Sequence, residues 1–289
     1  MQFKAPVAVL VVLGGLLVAA GMYFLVSPSQ LTPVPAPDVS LASTWQEAYA
    51  SRVRLEAAAT ALGDGYALFG LHVALDEGWK TYWREPGDSG LAPQFDWSGS
   101  RNVRSVEVLW PAPRAFDEIG QRYYGYKDQV LWPIRVTATD PEEPLLLSLK
   151  LDYGVCADVC VPASISTSLQ LPAGGGEATL EAASIDEALL RLPQKAADAD
   201  LSARLMLTPV SGHRGVLTVE PQGAGTRADI VIVTGAPGVY FGASQPYEDK
   251  GFQVSIEAAD PAALRGQVVN VLFLDRDTDW AAAGTFFIE

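Results

Sequence analysis

The stretch Leu145-Leu-Leu-Ser-Leu-Lys-Leu-Asp-Tyr-Gly-Val-Cys156-Ala-Asp-Val-Cys160-Val-Pro-Ala-Ser-Ile-Ser-Thr-Ser-Leu-Gln-Leu171 holds both cysteines of the 289-residue chain. Residues 145–155 and 161–171 alternate apolar with polar side chains over much of their length, as half-buried strands do. The cysteines therefore flank a tight hairpin turn. A disulfide needs Cα atoms roughly 4.4–6.8 Å apart, whereas four residues of extended chain span about 13 Å. A three-residue turn, Ala157-Asp158-Val159, would place them opposite each other as cross-strand partners. Such a bridge closes a very short loop and removes little entropy from the unfolded chain, so it is a poor staple. Strained or exposed bridges are also the reducible kind. A reversible thiol pair is the leading reading, and a plain stabilising disulfide in an exported protein stays open beside it.

Outward from this hairpin, short strand-like runs recur at 66–75, 103–110 and 130–137, with Gly, Pro and Asp clusters between them, and residues 51–62 read as a first strand and turn. Pro172-Ala-Gly-Gly-Gly-Glu177 breaks the pattern. Residues 184–193 then read as a short helix, with Ser184 as N-cap and Glu187 at the capping-box position. Further strand-like runs at 201–208, 215–220, 228–234, 251–257, 268–274 and 284–288 make a second β unit without cysteine or catalytic cluster, suited to packing or partner docking. The expected fold class is all-β: two immunoglobulin-like β-sandwich domains in tandem after an N-terminal transmembrane helix. The expected divisions are an anchor or signal over 1–27, a Pro-rich tether over 28–43, a cysteine-bearing sandwich over 44–172, a linker with a short helix over 173–199 and a second sandwich over 200–289.

Lys4 precedes an apolar run over residues 5–26. That run is long enough to span a bilayer and longer than a typical signal-peptide core, so it reads as an uncleaved anchor, with cleavage the alternative. Positive charge on the short N-terminal side places the bulk of the chain outside the cytoplasm. With 34 acidic against 20 basic residues and a formal charge of −14, nucleic acid and anionic lipid are disfavoured as partners. Solubility is a sufficient account of the acidity.

The middle of the first β unit is dense in aromatic and charged residues. Its motifs are Gly78-Trp-Lys-Thr-Tyr-Trp83 with Pro86-Gly-Asp-Ser-Gly90, Phe95-Asp-Trp97, Trp110-Pro-Ala-Pro113, Gly125-Tyr-Lys-Asp128 and Asp152-Tyr-Gly-Val-Cys-Ala-Asp-Val-Cys-Val-Pro162. In combination, over about residues 60–172, they resemble the N-terminal periplasmic domain of the DsbD/ScsB thiol:disulfide interchange family. The resemblance implies an immunoglobulin-like fold in a periplasmic protein. It also implies a pair, Cys156 and Cys160, that passes electrons to thioredoxin-like periplasmic proteins. Residues 116–128 are expected to form a loop, and on the resemblance Asp117, Glu118, Tyr123 and Tyr124 stand where the family's shielding cap lies. ScsB-like members further imply that the second β unit belongs to the same extracytoplasmic module. The family's multi-helix membrane domain and C-terminal thioredoxin domain do not occur in these 289 residues, so a separate membrane electron donor is expected, with the inner membrane reached through the N-terminal helix.

The expected chemistry is thiol:disulfide exchange without a cofactor or a metal. One thiolate attacks a partner's disulfide and the second cysteine resolves the mixed disulfide. Lys127, Tyr153 and Asp158 are the nearest candidates for tuning the thiols, because His72 and His213 are both remote in sequence. Two rivals stand beside this reading. One is a non-catalytic anchored scaffold for envelope assembly, such as cytochrome c maturation. The other is metal handling, for instance of Cu(I), through two thiolates. Hydrolase chemistry lacks both a Gly-x-Ser-x-Gly elbow and a Ser-His-Asp arrangement.

Overall fold

A computed structural model describes residues 39–289 apart from Ser89, Ile119, Gly225, Asp249 and Lys250. The apolar run 5–26, read above as an anchor, lies outside the described residues. Among those residues no helix is long and apolar enough to cross a membrane.

The first half of the chain forms eleven strands: β1 Gln46–Ala48, β2 Ser51–Ala57, β3 Tyr66–Leu75, β4 Lys80–Gly87, β5 Gln94–Asp96, β6 Val103–Val108, β7 Arg114–Glu118, β8 Gln121–Lys127, β9 Gln129–Ala138, β10 Leu145–Cys156 and β11 Cys160–Leu171. They build two sheets, ordered β1-β2-β3-β9-β6 and β11-β10-β4-β8-β7, with β5 pairing β10. The inner faces of both sheets share one core, in which Val53, Leu55, Phe69 and Trp132 meet Trp83, Leu147 and Leu149. The alternation along β10 drives this packing. Leu145, Leu147, Leu149 and Leu151 are all buried, each contributing about 1.5–3 kcal/mol of hydrophobic stabilisation.

A short helix, α1 Ala182–Leu190, follows. It starts two residues before the expected Ser184 cap, and the Ser184 hydroxyl instead donates to the Glu181 carbonyl from within the first turn. Glu181 ties this region to the start of the described chain: its carboxylate accepts from the Ser40 hydroxyl and from the Leu41 amide. Residues 40–43, expected to belong to a free tether, are therefore held to the sandwich, and the Ser43 amide also donates to the Leu55 carbonyl.

Nine strands complete the chain: β12 Gln194–Lys195, β13 Ser202–Ser211, β14 Arg214–Gln222, β15 Ile230–Thr234, β16 Tyr240–Phe241, β17 Gln245–Tyr247, β18 Gly251–Glu257, β19 Val268–Leu274 and β20 Ala281–Phe287. Their sheets run β12-β20-β19-β15 and β13-β14-β18-β16, with β17 pairing β18. In β15, Val231 and Val233 face the core of this second sheet pair, whereas Ile230 and Ile232 join the core of the first. Leu272 and Leu274 of β19 likewise point to the first core, and Val271 and Phe273 to the second. A sheet buried on both faces needs continuous apolar strands, which is why these runs read Ile-Val-Ile-Val and Val-Leu-Phe-Leu.

Candidate functional site: a disulfide under an aromatic cap

Strands β10 and β11 pair in register along their whole length, ending with Cys156 opposite Cys160. The two are joined by a disulfide with Cα atoms 4.1 Å apart, close to the ~4.5 Å of the narrower antiparallel pairs. Ala157-Asp158-Val159 forms the turn, closed by the Ala157 amide donating to the Val159 carbonyl. The two sulfur-bearing residues differ in access: Cys156 is 6 % exposed, while Cys160 lies open to solvent.

Strand β4 supplies the neighbours. Lys80 is the register partner of Cys156 on the side away from Cys160, so the Lys80 side chain stands on the sulfur face of the sheet. Tyr82, two residues on, shares that face, and its hydroxyl donates to Cys160 Sγ at 2.9 Å. Glycines make room for this ring. A Cβ on Gly154 would lie 3.0 Å from two Tyr82 ring carbons, and one on Gly90 would lie 2.5 Å from the ring. Tyr82 thus lies between two backbone segments that carry no side chain. Burial pushes its hydroxyl pKa up, which keeps the proton on the donor.

Residues 116–128, expected as a loop, form most of the antiparallel hairpin of β7 and β8. Phe116 pairs with Tyr123 and Asp117 with Arg122. Four consecutive residues of β8, Tyr123 to Tyr126, are buried, so the strand carries no one-sided alternation. Strand periodicity splits the hairpin into two faces. On one, Phe116 and Tyr123 stack on each other at 5.4 Å between ring centroids, and Tyr123 packs with Tyr82 and Cys156. The Lys80 ammonium lies over both rings, donates to the Tyr123 hydroxyl at 2.7 Å and pairs with Glu118. Burial pulls the Lys80 pKa down, but the hydrogen bonds to Glu118 and Tyr123 outweigh it and hold the value above its ordinary level. The same contact from Lys80 holds the Glu118 carboxyl below its usual range. The pair therefore stays ionised at neutral pH, and much of the lysine charge is spent on Glu118 rather than left facing the sulfurs.

Of the residues singled out in the sequence, Cys156, Cys160, Glu118 and Tyr123 come together at this site. Asp117 lies on the other face of the hairpin, paired with Arg122. Tyr124 and Tyr153 point into the sandwich core, where the Tyr153 hydroxyl hydrogen-bonds Ser51 Oγ at 2.7 Å. Lys127 is the register partner of Lys80 on the far side from the cysteines, and Asp158 is an exposed turn residue. Lys80, Tyr82 and Phe116 were not singled out. The signal that could have exposed the first two is their i, i+2 spacing in Lys80-Thr-Tyr82, within a segment as aromatic as the cysteine hairpin is aliphatic. Among the described residues, no group of three or more His, Cys, Asp or Glu side chains is placed to hold a metal.

Fold and site together define an immunoglobulin-like β protein with its cysteine pair in a hairpin turn. Residues 52–172 match the family model described as thiol:disulfide interchange protein DsbD, N-terminal. That segment is a DsbD/ScsB-family N-terminal domain. Among solved structures, the N-terminal periplasmic domain of ScsB from Proteus mirabilis aligns at a TM-score of 0.65 and 21% identity, covering 86% of this chain and 98% of that one, which establishes a shared fold across both sheet pairs. Tandem immunoglobulin domains A164-A165 of titin align over 84% of this chain and 98% of theirs at 7% identity, but the TM-score of 0.19 carries no argument. No curated relative matches the chain.

Proposed function

We propose that this chain is a periplasmic thiol:disulfide exchange protein, tethered to the inner membrane by residues 5–26, in which Cys160 meets the partner and Cys156 resolves. The observation that carries this reading is the asymmetry of the bridge. Cys160 is exposed at the hairpin end, next to the exposed apolar side chain of Val159, whereas Cys156 is covered by the cap. Exchange requires in-line access to a sulfur, and only Cys160 offers it.

In the reduced protein the Cys160 thiolate attacks one sulfur of a thioredoxin-like partner's disulfide, and the partner's other sulfur leaves as a thiolate. The Cys156 thiolate then attacks Cys160 Sγ, the mixed disulfide breaks, and the partner departs as a dithiol with two electrons. The bridge of the present structure is the oxidised product. A separate membrane dithiol donor restores the reduced pair by the reverse sequence. The Tyr82 hydroxyl, aimed at Cys160 Sγ, supports negative charge there whenever Cys160 is the attacking or departing sulfur. The two sheet pairs are read as two domains, over 44–172 and 200–289, joined through 173–199.

The test is the reduction potential of the Cys156–Cys160 pair, measured by equilibration in graded glutathione buffers with thiol trapping. A potential within reach of the glutathione couple, with rapid exchange onto a reduced thioredoxin-like protein, is expected. A potential well below about −300 mV, or a bridge inert to such proteins, would make the disulfide structural and leave an anchored scaffold as the better account.

A further inference from the structure

The β7–β8 hairpin that covers Cys156 sits at the edge of its sheet. Its neighbour β4 pairs with β8 at Lys80 to Tyr82, and the register then shifts until Gly87 meets Tyr123. The distal end of the hairpin is held by something else. At Gly87, φ is +88° and a Cβ would lie 2.5 Å from the Arg122 carbonyl, so the chain turns there in close contact with the hairpin backbone. Asp88 then grips the same residue: its amide donates to the Arg122 carbonyl at 2.9 Å, and its carboxylate accepts from the Arg122 amide at 2.8 Å.

The second sheet pair closes on this point from the outside. The Tyr240 hydroxyl donates to the other oxygen of Asp88 at 2.8 Å. Arg276 Nη1 donates to Asp117 at 2.9 Å. Arg122 bonds Asp117 through Nε at 2.6 Å and donates through Nη1 to the Ser244 carbonyl at 2.8 Å. Two of these anchors are themselves fixed. The Arg276 amide donates to Asp229 at 2.9 Å, and the buried Ser244 hydroxyl accepts from the Val231 amide at 3.1 Å. Because Asp117 and Arg122 alternate with Phe116, Glu118 and Tyr123, the hairpin shows its charged face to the second sheet pair and its aromatic face to the disulfide.

We propose that the second sheet pair sets the position of the cap over Cys156, with Arg276 and Tyr240 as positioning residues that act through Asp117 and Asp88. This rests on the thiol-exchange reading above and assigns the cysteine-free half of the chain a part in it. Hairpin and disulfide are coupled because the Tyr123 ring packs on Cys156 from the strand whose next residue, Arg122, is clamped. Releasing the clamp frees the hairpin to swing off the buried sulfur.

The experiment compares the full chain with its Arg276→Ala, Tyr240→Phe, doubly substituted and Arg276→Lys forms. Two readouts are taken: amide hydrogen exchange over residues 114–127 in the oxidised proteins, and the rate at which an aromatic disulfide reagent labels Cys156 when each form also carries Cys160→Ser. An exposed ion pair or hydrogen bond shifts an opening equilibrium by up to about fivefold. The double variant should therefore exchange about fivefold or more faster in the hairpin and be labelled at Cys156 several-fold faster, while β13 and β14 exchange as in the parent. Arg276→Lys should recover part of the protection. Raising salt from low to about 1 M should speed hairpin exchange more in the parent than in Arg276→Ala, because salt screens the Asp117–Arg276 pair only where it exists, while the pairs within the hairpin are screened in both. Hairpin exchange unchanged in the double variant would overturn the proposal. So would faster exchange without faster labelling of Cys156. A parent bridge inert to thioredoxin-like proteins would instead refute the exchange reading, whatever the hairpin does.

Discussion

Replacing Gly154 by alanine tests the idea that the site is built around a ring lying on bare backbone. The added Cβ would stand 2.7 Å from Leu91 Cβ and 3.0 Å from Tyr82 Cδ2 and Cε2. Carbon atoms pack at about 3.5–4.0 Å, so the ring must retreat by about 0.5–1 Å. Its other side is closed as well, because a Cβ placed on Gly90 would already lie 2.5–2.6 Å from Tyr82 ring carbons. Overpacking of this kind costs about 1–3 kcal/mol, and a ring displaced that far lengthens and weakens the contact of its hydroxyl with Cys160 Sγ, now 2.9 Å away. A double-mutant cycle isolates the cause. Gly154→Ala should cost about 2 kcal/mol in urea unfolding of the oxidised protein, and at least about 1 kcal/mol less in a Tyr82→Ala background, where the clash with the ring is gone and that with Leu91 stays. Equal costs in the two backgrounds would show that Gly154 is required for the backbone of β10 and not for the tyrosine.

Lys80→Met should weaken the protein in a pH-dependent way. Glu118 is held below its usual range, so its stabilisation is present above the ordinary carboxylate value and lost as pH falls through its lowered one; Lys80 is held above its usual value, so its share is lost as pH rises through the raised one. The stability gap between parent and variant should be flat from roughly pH 5 to 10 and narrow on both sides, and a gap undiminished at about pH 3 would refute the pairing. Single-cysteine proteins test the asymmetry of the bridge. The Cys156→Ser protein, which keeps Cys160, should react with an aromatic disulfide reagent about tenfold or more faster than the Cys160→Ser protein, and similar rates would place both sulfurs in equal reach.

How much of this was legible depended on whether a strand buries one face or two. The hairpin of β10 and β11 could be read to the residue, since Leu145 to Leu151 put every second side chain in the core and a three-residue turn leaves Cys156 only Cys160 to face. Strands β3, β18 and β19 were likewise bounded by their turns. Residues 80–83 and 123–126 were harder, because each run is buried on both sides, with Trp83 and Tyr124 in the sandwich and Tyr82 and Tyr123 at the disulfide. A segment without alternation reads as a loop, although here it forms the hairpin of the cap. Lys80 was hidden for a related reason. It is a buried lysine whose partner, Glu118, lies 38 residues away, and only the pairing of β4 with both β8 and β10 brings the carboxylate and the sulfur to the same ammonium.

The clamp lies further still from what local pattern can carry. Asp117 and Arg276 are separated by 159 residues, and Asp88 and Tyr240 by 152. Each is an ordinary exposed polar residue in its own segment. What foreshadows their meeting is the apolar character of β15 and β19: strands with Ile230, Ile232, Leu272 and Leu274 on a face turned away from their own core must bury that face elsewhere. Once that face packs on the first sandwich, the segments that follow β15 and β19, which hold Tyr240 of β16, Ser244 and Arg276, are carried to the rim beside β7 and β8. The same apolar burial that joins the two halves of the chain thus delivers the polar contacts that reach the cap.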